Sequence, residues 1–210
     1  KNEIYKRYNI PLNKKIVLYT AERYTKNLFE RPINSPFTKK QFDDFYEELF
    51  KTIKEFKDLF LLIKIHPSGS LNDEMTNKIA KNLNFNNYVI TKDMDIYNLL
   101  KESYAVVTRV STMGLESMFL KKPLIVMDTY FNTNDLTGYT EFNAALHAKN
   151  PGDLKTLLNK LLQDKNLHKN LNKNMERFIK YHYSINDGNA SLRISKLIRK
   201  MIKNGKNRRK

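Results

Sequence analysis

The chain has 210 residues, 40% of them hydrophobic, 29% charged and none cysteine, which is enough apolar material for a buried core and excludes disulfides, thiolate nucleophiles and cysteine zinc clusters. Its formal charge is +16, and because the lysines are spread through every segment beside many asparagines, the excess reads equally as a compositional habit and as attraction to anionic partners. Nothing resembles a signal peptide and no apolar run reaches the roughly 18 residues of a membrane span, so a cytoplasmic protein is the expectation, with an acidic surface such as the inner face of a membrane as a possible partner.

Residues 1–14 read as a helix end or linker, and a start at Lys1 without methionine suggests the second half of something longer. Lys15 to Thr20 (KIVLYT) is a predicted strand. The stretch that follows, to Pro36, holds Arg23, Arg31 and two prolines and is too long for a simple turn, so a functional loop or lid is expected. Thr38 opens a helix to about Lys57, with Phe42, Phe45, Leu49, Phe50, Ile53 and Phe56 on one face. Leu59 to Ile65 (LFLLIKI) is a fully buried strand that ends on His66-Pro67. Pro67 stops the strand and fixes the backbone after the histidine. Helix 72–83, strand 88–91 (YVIT) and helix 94–102 come next.

The stretch from Tyr104 to Asp128 (YAVVTRVSTMGLESMFLKKPLIVMD) organises the chain. It reads as a buried strand, a polar turn from Arg109 to Thr112, a helix over about Met113 to Leu120, a Lys-Lys-Pro stop and a second strand: one β-α-β unit. A parallel crossover places that turn at the carboxyl edge of a sheet, where the first amides of the helix have no intrahelical partners and attract anions. Ser111 and Thr112 can cap the helix and donate hydroxyls, and Gly114 lets a ligand approach the backbone. Glu116, one turn in, suits a neutral diol such as a ribose. Arg109 opens the turn.

Residues 129–143 form a polar aromatic loop in which Asn132, Asn134, Asp135 and Thr137 either meet a ligand or are merely solvated. A short strand over 144–148, a helix from Pro151 rich in leucine, a helix over 167–183, a break at Asp187-Gly188 and a closing helix over 190–202 complete the chain, with a basic tail at 204–210. His147, His168 and His182 read as structural. Strands alternating with helices mean an α/β fold, a parallel sheet of five or six strands with helices on both faces. Ligands then gather at the carboxyl edge, the edge that carries both His66 and the Ser111–Glu116 turn.

The pattern S-T-x-G-x-E followed seven residues later by Pro, here Ser111, Thr112, Gly114, Glu116 and Pro123, resembles the nucleotide-binding, Rossmann-like half of GT-B glycosyltransferases of bacterial surface polysaccharides. The likeness is to the capsule Kdo- and sialyltransferase and teichoic-acid glycerophosphotransferase group, and His66-Pro67 supplies its second motif. A third likeness, Asp187-Gly188-Asn189-Ala190-Ser191 with Arg193-Ile194, is to UDP-N-acetylglucosamine 2-epimerase and its relatives. The resemblance implies a Rossmann-like domain over 15–203 in which His66 contacts the donor phosphate and acts catalytically, Ser111 and Thr112 bind phosphate, and Glu116 holds the ribose; for Arg109 it implies either a cation near a diphosphate or a pairing with an acid. It implies a CMP-, CDP- or UDP-linked donor, a glycan or lipid-linked acceptor and an N-terminal GT-B domain without which the fragment binds nucleotide but does not turn over. No metal or cofactor is expected. Two rivals stand beside this reading: a UDP-sugar epimerase or hydrolase, and a basic polyanion-binding module. The second is distant because no aromatic-interleaved basic stripe points to nucleic acid.

Overall fold

A computed structural model describes residues 2–21, 38–66, 73–92, 95–131, 135, 137–183 and 187–207. The elements in order are α1 (Asn2–Arg7), β1 (Lys15–Thr20), α2 (Lys39–Lys54), β2 (Leu59–Lys64), α3 (Asp73–Asn82), β3 (Tyr88–Thr91), α4 (Ile96–Glu102), β4 (Ser103–Thr108), α5 (Met113–Phe119), β5 (Leu124–Met127), β6 (Leu146–Ala148), α6 (Asp153–Gln163), α7 (Lys165–Tyr183) and α8 (Ala190–Asn207). The chain forms two compact units, Lys1–Phe178 and Ile179–Lys210.

The first unit is built on one sheet of six strands in the order β3-β2-β1-β4-β5-β6, and every neighbouring pair is parallel. The strands run apolar for a reason: β1, β2 and β5 are covered on both faces, and Val17, Leu18, Leu61, Leu62, Leu124 and Ile125 are all fully buried. From β1 the chain steps outward through β2 to β3, then returns to β4 and steps the other way. Right-handed crossovers therefore put α2 and α3 on one face and α4 and α5 on the other. α6 joins α2 on the first face, and α1 packs on α4 on the second.

Local chemistry sets the helix ends. Thr38 and Gln41 form a reciprocal capping box at the start of α2. That helix drives Phe45, Leu49, Phe50 and Ile53 into the core, each at most 1% exposed. α5 closes with Lys121 in the left-handed region at φ 54°. Its neighbours make the paired bonds of a Schellman ending, Lys122 N–H to the Ser117 carbonyl at 2.9 Å and Lys121 N–H to that of Met118 at 2.9 Å. Pro123 then prevents any continuation.

In the second unit the stretch that resembles the epimerases is a helix start. The Asp187 carboxylate accepts from the Asn189 amide at 3.0 Å and from the Arg193 guanidinium at 2.7 Å, with Gly188 at φ 71° making the turn. The same bonds, led by the one from Arg193, hold its carboxyl at about 2. The closing helix runs beyond the expected end at Ile202, to Asn207, so part of the predicted basic tail is helical. Helical spacing puts exposed Ile194, Leu197, Ile198, Met201 and Ile202 on one side, and Arg193, Lys196, Arg199, Lys200 and Lys203 on the other.

Candidate nucleotide site

The order of the strands reverses between β1 and β4, and a parallel sheet opens a crevice at the carboxyl ends of such a pair. There the hydroxyl of Thr20, the last residue of β1, donates to that of Thr108, the last of β4, at 2.9 Å. On one side of this point β2 leads through buried Ile65 to exposed His66. On the other, β4 leads into Arg109 and the Ser111–Glu116 turn. Both chain segments singled out by the sequence thus leave the sheet at its carboxyl edge, one on each side of the reversal. Pro67, Arg23, Arg31, Asn132 and Asn134 lie outside the described residues.

The turn differs from expectation in its detail. Ser111, not Thr112, makes the capping contact: its hydroxyl accepts the Met113 N–H at 3.1 Å, while Thr112 makes no side-chain cap bond. The Ser111 carbonyl takes the Gly114 N–H at 3.1 Å and the Thr112 carbonyl takes that of Leu115 at 3.0 Å. The first amides of α5 are therefore occupied within the turn itself. The hydroxyl of Thr112 and the carboxylate of Glu116 stand in exposed residues, and Ser111 is half-buried.

Gly114 has a packing reason to lack a side chain. A Cβ there would lie 2.5 Å from Tyr139 Cε2, because the Tyr139 ring occupies that space. The Tyr139 hydroxyl donates to the Ser111 carbonyl at 3.2 Å. Asp135, only 4% exposed, accepts from the Thr137 hydroxyl and from the amides of Thr137 at 3.1 Å and Thr140 at 2.6 Å. Burial opposes its charge, yet the bonds from Thr137 and Thr140 outweigh that and hold the carboxyl below its ordinary value. Asp135 thus ties down the loop, and the Thr137 hydroxyl donates within it.

Arg109 is buried at 6% exposure, with its guanidinium 4.2 Å from the centre of the Phe131 ring, a cation–π contact. Phe131 in turn meets Phe42 and Phe45 of α2. Lys64, two strands over on β2 and two residues before His66, is a further buried cation at this edge that sequence alone did not single out, although a lysine inside LFLLIKI was its signal. On β6 burial, and then the charge of Lys149, push the His147 imidazole below its ordinary value.

A cavity of about 570 Å³ runs along β3 and touches Ile65, Asn77 and Lys92; a second, of about 330 Å³, lies between α2, Tyr130 and Gly152. Neither is lined by His66 or by the turn. Among the described residues no group of histidine and carboxylate side chains is arranged to hold a metal ion, and no helix is long and apolar enough to cross a membrane.

A doubly wound parallel sheet of this kind, with its strand order reversing between β1 and β4, is a Rossmann-like α/β fold. Residues 1–200 match the family described as CDP-Glycerol:Poly(glycerophosphate) glycerophosphotransferase, and the chain belongs to it. Three solved structures have the same fold. The wall teichoic acid polymerase TagF soaked with CDPG is 21% identical with TM-score 0.58, over 97% of this chain and 46% of that one. The co-structure of S. aureus MnaA with UDP is 19% identical with TM-score 0.55, over 88% and 48%. The C-terminal CMP-Kdo binding domain of WaaA from Acinetobacter baumannii is 14% identical with TM-score 0.58, over 85% and 95%. This chain therefore spans about half the length of the TagF and MnaA chains and nearly all of the WaaA domain. No curated protein matches its sequence.

Proposed function

We propose that the chain is the donor-binding half of a transferase that moves a glycosyl or glycerophosphate group from a CMP-, CDP- or UDP-linked donor to a glycan or lipid-linked acceptor of a bacterial surface polymer. The observation that carries this is the family match over residues 1–200, and the exit of His66 and the Ser111–Glu116 turn on either side of the strand reversal supports it. In this reading the hydroxyls of Ser111 and Thr112 hold the donor phosphate, and Glu116 accepts from the two ribose hydroxyls. An acceptor hydroxyl displaces the nucleotide, whose phosphate leaves with added negative charge. His66, donating a hydrogen bond or a proton to it, offsets that charge. Buried Arg109 contributes a positive field from beneath. The acceptor and its general base are supplied by a further domain, and the amphipathic, lysine-rich α8 supports a peripheral contact with anionic lipid on the inner face of the membrane.

Calorimetric titration of CMP, CDP and UDP tests the site. One of them binds the wild type, and His66→Ala and Glu116→Ala each weaken it by about tenfold to a hundredfold, as loss of a charge-assisted bond of about 1.5 to 3 kcal/mol requires. Affinity untouched by both changes rejects the assignment. The epimerase reading has the fold of MnaA in its favour, but Arg109-Val110-Ser111-Thr112 stands where epimerases carry Asp-Ser-Gly-Gly. Consumption of a UDP-sugar without any acceptor would favour it.

A further inference from the structure

We propose that Tyr139 is a positioning residue for the donor: it holds the Ser111–Thr112 turn in the one backbone geometry that presents its polar groups at the sheet edge. The inference rests on the nucleotide reading of that turn given above. Tyr139 is 6% exposed, and its ring fills the space that any Cβ at residue 114 would need. Its hydroxyl and the Gly114 amide occupy the Ser111 carbonyl together, at 3.2 and 3.1 Å. With both lone pairs of that oxygen engaged, the peptide plane between Ser111 and Thr112 is restrained from rotating. In a trans peptide the carbonyl and the next amide point opposite ways, so a carbonyl fixed toward Tyr139 turns the Thr112 N–H away from it. Thr112 is exposed, which is what a group facing a ligand requires.

Tyr139 is itself held from three sides. Its carbonyl accepts the Ala144 N–H at 3.0 Å. Its ring meets Phe178 edge to face at 5.3 Å. The loop before it is fastened through Asp135, with Gly138 at φ 71° making the bend. A rigid aromatic strut under a phosphate-binding turn supplies pre-organisation, since the turn need not be ordered when the donor arrives.

The test is amide hydrogen exchange on the whole chain, free and with CMP, CDP or UDP, in the wild type, Tyr139→Phe and Tyr139→Leu. Phenylalanine keeps the ring on Gly114 and removes only the hydroxyl. Exchange over 111–116 is expected to rise in both variants while β1 and β4 stay protected, and nucleotide affinity to fall about fivefold for Tyr139→Phe, the loss of one hydrogen bond, and further for Tyr139→Leu. Unchanged exchange over 111–116 overturns the strut. Faster exchange with unchanged affinity overturns its bearing on the donor. A wild type that binds none of the three nucleotides overturns the donor reading and the role of Tyr139 in it, an outcome distinguished from failure of the strut because exchange in the free protein reports the turn independently.

Discussion

Thr20 and Thr108 hydrogen-bond to each other, hydroxyl to hydroxyl at 2.9 Å, at the tips of the two strands between which the sheet reverses. They are 3% and 0% exposed. A lone hydroxyl left there has no water to turn to. Thr108→Val is expected to destabilise the protein by about 1 to 3 kcal/mol, the cost of an unsatisfied buried polar group, whereas Thr20→Val with Thr108→Val recovers much of it. Urea unfolding of the two single variants and the double one measures the coupling, and additivity would show that the bond contributes nothing.

Gly114 and Tyr139 make a steric pair. Gly114→Ala brings a methyl group to 2.5 Å from the Tyr139 ring, and overpacking of this kind costs about 1 to 3 kcal/mol. Tyr139→Leu in the same chain relieves the clash, so the double variant is expected to be more stable than the sum of the two single changes predicts. Thermal unfolding of the four proteins is the measurement.

Asp135 links the loop to pH. Its carboxyl is held below the ordinary value in the folded protein, so its contribution is fully present above the unfolded-state value of about 3.9 and is lost as pH falls through the lower folded one. Stability of the wild type is therefore expected to drop more steeply between pH 5 and pH 3 than that of Asp135→Asn, when urea midpoints are compared across that range. Equal slopes would remove Asp135 from the account.

Contact of α8 with lipid predicts co-sedimentation of the protein with vesicles containing phosphatidylglycerol, weakened by salt and by replacement of Lys196, Lys200 and Lys203 with glutamate. Neutral phosphatidylcholine vesicles are the control. Equal binding to both kinds of vesicle, or none to either, removes this part of the proposal.

The sheet was legible because its strands are short, apolar and bounded by periodic helices. LFLLIKI between a Phe-rich amphipathic helix and His-Pro has little else it can be, and the organising β-α-β unit falls at Ser103–Met127 as its pattern implies. The strut was not legible. Asp135 and Tyr139 sit in a loop without period, where order comes from side chains bonding to nearby backbone, and such bonds leave no repeat in a sequence. Gly114 was noticed for its freedom, but only coordinates show that a ring 25 residues downstream uses its missing side chain. α8 extends past its expected end because a basic run reads as a frayed tail, whereas a chain of lysines is no obstacle to a helix already begun.

The Asp187-Gly188-Asn189-Ala190-Ser191 stretch engages its own acid with Arg193 and Asn189. In this chain the signature is therefore consumed in launching the terminal helix, and the one acid it carries is already engaged by its own neighbours.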